Sequence, residues 1–306
     1  MTPAMSAVIE DIVEQSFDTR HVGVFQGDAT VSSYLTAIPF NHIYFTGSPA
    51  IGKIVMSAAA KNLASVTLEL GGKSPTIVLE SANINRAAKR IAIGKFLNNG
   101  QVCIAPDHVY VHESKKAEFI EKMKNHLREF YSEEAAMEPS YSRIVNEKHY
   151  KRIKNLYEDA AQKGARVETG GIFDESQNYI SPTILTNVSN GFAVMEEEIF
   201  GPILPVMGFT DVDKVITEIN SRERPLALYI YGKNKKKINH ILANTRAGGG
   251  CINQSSLHFI NLNLPFGGTN NSGIGKGNGI HGFRSLSNAR GILIQHVSNA
   301  SDLLLP

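Results

Sequence analysis

Two residue types able to carry acyl chemistry stand 34 positions apart (103 minus 69). Glu69 closes the apolar run SVTLELGG (65–72), and Cys103 lies within FLNNGQVCIAPDH (96–108). A cysteine attacks as its thiolate, and backbone N–H groups around the sulfur favour that form. Asn99, Gly100 and Gln101 before Cys103, with Ile104-Ala105-Pro106 after it, predict a constrained turn that would supply such donors and lower the thiol pKa. The local alternative is a packed, inert thiol. Glu69 poses a parallel choice, because a carboxylate within a buried run is costly unless it is ion-paired or functional.

FTGSPAIGK offers a third feature. Gly47 and Ser48 leave a strand and Gly52 lies one turn into the following helix, so an anion such as a phosphate could approach free N–H groups at the helix start; a tight turn with a packing glycine is the plainer alternative. The formal G-x-G-x-x-G of GNGIHG (277–282) follows glycines and asparagines rather than a strand, and is rejected as a cofactor site. His108 and His112 share one face of an expected strand but have no third ligand nearby, so no metal is expected. The run KNKKK (233–237) reads as the solvated start of a helix.

The elements that must position these residues alternate. Thr2-Pro3 opens a helix with an apolar face at Val8, Ile9, Ile12 and Val13. Candidate buried strands follow at 22–28, 41–48 and 65–72, with ATVSSYLTAIP and PAIGKIVMSAAAKNLA between them. Strand, helix, strand, helix, strand implies a parallel sheet with right-handed crossovers, half of a dinucleotide-binding fold. From Lys73 the pattern recurs: strand 75–79, helix 83–98, strand 108–112, helices 114–130 and 146–163, proline-marked strands in YISPTIL and GPILPVMGF, helix 211–221, strand 226–231 and helix 235–245. The Gly- and Asn-rich end reads as loop, short helix and one late strand.

Composition narrows the class. The chain has 306 residues, 42% of them apolar, which suits two domains. A net charge of +2 without a basic stripe excludes nucleic acid as an expected partner. No run is long enough for a membrane span and the start lacks a signal-peptide pattern, so the expected compartment is the cytoplasm, where Cys103 and Cys251 remain unpaired.

Taken in order, FTGSPAIGK, TLELGGKSP, KFLNNGQVCIAPDH, EEIFGPILPV and LPFGGTNNSGIGK resemble the aldehyde dehydrogenase superfamily, in its class 3-like branch of fatty, aromatic and coniferyl aldehyde enzymes. The resemblance implies an α/β fold: the C-terminal half of a Rossmann-like NAD(P)-binding domain over 1–70, a catalytic cysteine domain over 71–264, and a C-terminal loop and strand over 265–306 returning to the cofactor and oligomerisation region. It implies Cys103 as nucleophile and Glu69 as general base in the NAD(P)+-dependent oxidation of a small-molecule aldehyde to a carboxylic acid. Gly47, Ser48, Gly52, Leu70, Glu198 and Phe200 would face the cofactor, NAD or NADP. Asn99, Gly100 and Gln101 would shape the cysteine loop, and Phe266 would close the aldehyde channel. Cys251 takes no role from the resemblance and reads as a buried strand thiol.

The family pattern also implies a homodimer in its full-length form and an N-terminal region before Met1, with further Rossmann strands, an asparagine that supplies a second oxyanion donor and a stretch contacting the adenosine ribose. Loss of one such donor costs about 10²–10³ in rate. The expectation is therefore a chain that is poorly stable or slow on its own. The alternatives are a non-catalytic truncated pseudoenzyme or oligomerisation partner, and a Cys-dependent esterase.

Overall fold

The structure, a computed structural model, describes residues 2–294. The chain opens with α1 (Pro3–Ser16) and α2 (Ala29–Ala37), neither of which buries a residue. Pro3 starts α1 as expected, but the Thr2 side chain makes no capping bond; its carbonyl instead accepts from Ser6 N and Oγ. Asp28 caps α2 by accepting from the Thr30 and Val31 N–H groups. The expected strand over 22–28 is absent. Those residues are irregular, with Val22 and Phe25 exposed; they pair with no described strand, not even along the open outer edge of β1 (His42–Gly47), and an unpaired segment gains nothing from extension.

A small sheet follows: β1 (His42–Gly47), α3 (Pro49–Ala60) and β2 (Ser65–Leu70), with the two strands parallel and in register from His42↔Ser65 to Gly47↔Leu70. A parallel pair needs a crossover, and α3 supplies it, capped by Ser48 with Pro49 in its first turn.

The chain then builds β3 (Pro75–Val78), α4 (Ile84–Phe96), β4 (His108–His112), α5 (Glu113–Tyr131), α6 (Glu147–Gln162), β5 (Arg166–Thr169), β6 (Phe173–Asp174), β7 (Tyr179–Ile180), β8 (Thr183–Thr186), α7 (Ala193–Glu196), β9 (Ile203–Phe209), α8 (Val212–Ser221), β10 (Ala227–Tyr231), α9 (Lys235–Asn244) and β11 (Gly249–Ile252). Seven of these strands form one sheet in the order β11-β10-β3-β4-β9-β8-β5, parallel throughout except at the β5–β8 edge. Alternation divides its apolar residues. Val78, Tyr229 and Tyr231 face α4 and α5, while Ile77, Leu228 and Ile230 face α8 and α9. Cover on both faces explains why β3, β4 and β10 read as nearly unbroken apolar runs. The architecture is α/β, with a third core between α6 and β8–β9.

The C-terminal segment returns to the small sheet as β12 (Gly273–Ile274), antiparallel to β2, and then forms α10 (Gly279–Ser285). After α10 the described chain has no regular structure, and 295–306 of the expected C-terminal segment lie outside the described residues.

Burial is thus uneven. Amide hydrogen exchange should show α1 and α2 exchanging fast, while β3, β4 and β10 hold their protons longest, since few buried contacts oppose opening of the first two helices. Equal protection in α1 and β4 would contradict this.

Candidate active site

Glu69 is the penultimate residue of the central strand of the small sheet, opposite Thr46 on one side and Gly273 on the other. Gly267 packs so close that a Cβ there would sit 2.9 Å from Glu69 Oε1. Both carboxylate oxygens are buried without a hydrogen-bond partner; the Tyr44 hydroxyl faces them but misses hydrogen-bond geometry. Burial raises the Glu69 pKa to about 7, against the opposing pull of the Lys276 ammonium and Tyr44. Lys276 spends its own donors on the Gly267 and Gly268 carbonyls, at 2.5 and 2.9 Å.

Cys103 sits beyond the end of α4, where the helix breaks into left-handed backbone: Asn98, Asn99 and Gly100 have φ of 50°, 54° and 71°. Asparagine tolerates this region, and Gly100 is required, because a Cβ there would run into the Gly201 carbonyl. Side chains then lock the turn. Asn99 donates to Ser142 O at 2.7 Å, and Gln101 donates to Asn98 O and Arg143 O while accepting from Val145 N. On the other side of the sulfur, the Ile104 carbonyl accepts from the Tyr229 hydroxyl at 2.6 Å and from Ser256 Oγ at 3.3 Å.

Here the structure corrects the expected thiol pKa. The N–H groups of Cys103 and Ile104 do favour the thiolate, but burial, followed by the charges of Glu198 and Glu69, outweighs them and pushes the Cys103 thiol up to about 11. The thiol is half-buried against the core beside α4 and at rest is protonated.

Glu198 and Phe200 lie on the irregular stretch between α7 and β9. Glu198 packs its carboxylate against Gly71, and Phe200 holds a left-handed φ of 45°. Burial and the nearby Asp107 raise the Glu198 pKa to about 7, although the Gly72 N–H and the cations Lys73 and Arg152 pull it down.

At the same end of the small sheet, Gly47 and Ser48 are exposed at the exit of β1, and Ser48 Oγ accepts from Ile51 N at 3.5 Å. Gly52 is buried against Leu70, where a Cβ would come within 2.7 Å of the leucine. Thus Gly47, Ser48, Gly52, Leu70 and Glu69 share the carboxyl ends of β1 and β2, the edge at which open α/β sheets bind ligands. Phe266 is buried in the core that also contacts Cys103, its ring 5.0 Å from Phe259 and 5.8 Å from His258.

Other residues fall elsewhere. His108 is fully buried beside Asp107 and against Tyr110, and His112 bonds Ser114; among the described residues no cluster of three His, Cys, Asp or Glu could hold a metal ion. Cys251 is on β11 as expected but only half-buried, its sulfur 3.4 Å from His258 Nδ1. A groove lined by Tyr110, Met207, Lys214 and Glu218 contains none of the candidate residues.

Sequence reasoning missed Lys73, Lys95, Asp107 and Arg152. Lys73 and Asp107 stand within the two motifs that carry Glu69 and Cys103, and charged residues inside otherwise apolar runs were the available signal.

The aldehyde dehydrogenase family, as a sequence family, matches residues 1–292. The chain belongs to this family. It is 40% identical over 306 residues to the 4,4'-diaponeurosporen-aldehyde dehydrogenase of Staphylococcus aureus, covering 100% of this chain and 66% of that protein. It is 41% identical over 295 residues to the dimeric NADP-preferring aldehyde dehydrogenase of Mus musculus, covering 96% of this chain and 64% of the relative. A solved structure of the substrate-bound state of Staphylococcus aureus AldH superimposes with a TM-score of 0.91 at 40% identity, over 97% of this chain and 65% of that one. The chain therefore spans about two thirds of the length of these family members.

Two outcomes are expected of the site. Alkylation of Cys103 by iodoacetamide should still be accelerating above pH 9, because the thiolate forms only towards about pH 11; a rate already flat at pH 8 would show that burial does not control the sulfur. Gly100→Ala should lower unfolding stability by at least ~1–2 kcal/mol from left-handed backbone alone, with the clash at Gly201 adding to it, read by denaturant titration.

Proposed function

We propose that the protein oxidises a small-molecule aldehyde to a carboxylic acid with NAD or NADP, through Cys103 and Glu69. The observation that carries this reading is the convergence of a thiol with two carboxylates, Glu69 and Glu198, whose charges both act on it, beside a strand-to-helix turn fit for a dinucleotide. The fit of that turn rests on its exposed Gly47-Ser48 exit, the start of the 12-residue α3, where the Ile51 N–H is engaged only by a long 3.5 Å bond to Ser48 Oγ, and the absence of any side chain at Gly52 between α3 and Leu70. Gly47, Ser48 and Gly52 would hold its phosphates, and Leu70, Glu198 and Phe200 its nicotinamide end. When bound, the dinucleotide supplies the hydride acceptor.

The chain's own residues do the rest. Cys103 gives its proton to solvent water and its sulfur pair forms a bond to the carbonyl carbon, while the C=O π pair moves to oxygen, where the Cys103 N–H can donate to the oxyanion. Asn99, Gly100 and Gln101 keep that N–H in place through the bonds that lock the turn. Once the substrate carbon has been oxidised, Cys103 carries the acyl group as a thioester. Glu69 takes a proton from water, the resulting hydroxide adds to the thioester carbon, and the sulfur leaves with its electron pair. Phe266, Phe259 and His258 would form an apolar wall that admits the aldehyde.

Residues 1–70 are read as the cofactor-binding part, 71–264 as the catalytic part and 265–306 as the returning segment. The free thiols suit a reducing cytoplasm, and the dimeric state in the mouse relative's name supports a homodimer here. No helix among the described residues is long and apolar enough to cross a membrane.

Cys103→Ala should abolish aldehyde-dependent formation of reduced cofactor, followed at 340 nm. Glu69→Gln should slow steady-state turnover by roughly 10²–10⁴ while leaving a first-turnover burst. Because a base must be deprotonated to act, wild-type turnover should rise with pH through about 7, and Glu69→Gln should flatten that limb. If Cys103→Ala retained turnover, the mechanism would be wrong.

A further inference from the structure

We infer that a buried Lys73–Asp107 ion pair, completed by Arg152, is the positioning device that holds Glu198 against the Cys103 loop. The side chains of Lys73 and Asp107 are only 8% and 4% exposed. Lys73 lies just beyond the Gly71-Gly72 turn that follows β2 and Glu69, and Asp107 ends the loop that begins at Cys103. The pair therefore ties together the two segments that carry the thiol and Glu69. Its remaining hydrogen bonds go to a third.

Lys73 Nζ, besides its ion pair with Asp107, donates to Val194 O at 2.7 Å and to Glu197 O at 3.0 Å. Asp107 Oδ1 accepts from Ile199 N at 2.9 Å. Arg152, on α6, donates to Glu198 O at 3.0 Å and to Ile199 O at 2.6 Å. The carbonyls of Val194, Glu197, Glu198 and Ile199 and the Ile199 N–H thus all end on these three side chains.

The segment needs such support. Between α7 and β9 it has no regular backbone pairing, it contains the left-handed Phe200, and it holds a carboxylate that burial penalises. A desolvated carboxylate on an untethered loop would turn out to water. A buried ion pair is weak support for stability as such, since two well-packed apolar side chains often do as well. Apolar replacements, however, could not hold three carbonyls and an amide of this loop together with a carbonyl of α7. The charged groups facing Glu198 are Asp107, Lys73, Arg152 and the fully buried Lys95, with Cys103 within reach of its charge and the Gly72 N–H directed at its carboxylate.

This inference takes from the proposed function only the assignment of Glu198 to the cofactor, so its test includes a readout independent of the cofactor. In the intact protein, Arg152→Met is the first variant, because the Arg152 side chain is 29% exposed and its loss should be tolerated in folding. Release of Glu198 from the thiol should move the pH dependence of iodoacetamide alkylation of Cys103 to lower pH by about 0.5–1 unit. Glu198→Gln should do the same, and Arg152→Met should add nothing in that background. Calorimetric Kd values for NAD+ and NADP+ should weaken roughly tenfold, with Arg152→Lys restoring part of the loss. Asp107→Asn should produce both effects as well; if it fails to fold, Arg152→Met decides. The inference is overturned if folded Arg152→Met keeps the wild-type alkylation profile, or if its shift is equally large in Glu198→Gln. A shifted profile in a protein that oxidises no aldehyde would uphold the positioning role and remove the enzymatic reading instead.

Discussion

Three segments far apart in the chain, around residues 69–73, 103–107 and 194–200, meet at one buried ion pair, and the geometry of the candidate site depends on that meeting. Lys73 and Asp107 are buried where the chain passes from the small sheet to the large one, and each offsets part of the cost of burying the other's charge. Burial by itself would raise the Asp107 pKa; Lys73, His108 and Lys95 outweigh it and hold the carboxyl well below the usual carboxylate range. Having neutralised each other, the two side chains still carry hydrogen-bonding capacity, and the protein spends it on the backbone of the Glu198 segment.

Around this fixed pair, desolvation sets the resting state of the chemistry. Burial raises the pKa of Cys103, Glu69 and Glu198 alike, so each prefers its uncharged form more than it would in water. The charges of Glu198 and Glu69 also oppose the thiolate of Cys103. A thiol with two carboxylates nearby is quiet until something positive or proton-accepting arrives, and this accords with a nucleophile that acts only once its site is filled. The opposite case is Lys95, fully buried on α4, whose pKa falls to about 8 mainly through burial despite the pull of Asp107.

The large sheet is rigid enough to present such a site because it is covered on both faces. Tyr229 shows how: its ring packs among the residues facing α4 and α5, and its hydroxyl reaches the carbonyl of Ile104, next to the thiol. The small sheet is less enclosed, and α1 and α2 bury nothing, so order in the molecule is graded from the first helices towards the core of the large sheet.

Much of this was determined by the sequence alone. Apolar runs of strand length and amphipathic stretches of helix length are local signals, which is why most elements from β1 to α9 fall near where their patterns place them, whereas β5, β6 and α7, two to four residues long, are too short to leave a pattern. The motifs around Glu69 and Cys103 were legible for the same reason, since residue types at fixed spacing need no partner to be seen. The strand expected over 22–28 is absent because a strand exists only when it pairs with a neighbour, and no local pattern reports whether that pairing is made. The thiol pKa was misjudged for a related reason: the turn that supplies N–H donors is local, whereas the burial and the two carboxylates that overrule it come from residues remote in sequence. What only the tertiary structure decided is thus which charges share a low-dielectric space. Lys73, Asp107 and Arg152 are ordinary letters in the chain, and they become a device only when three distant segments close around them.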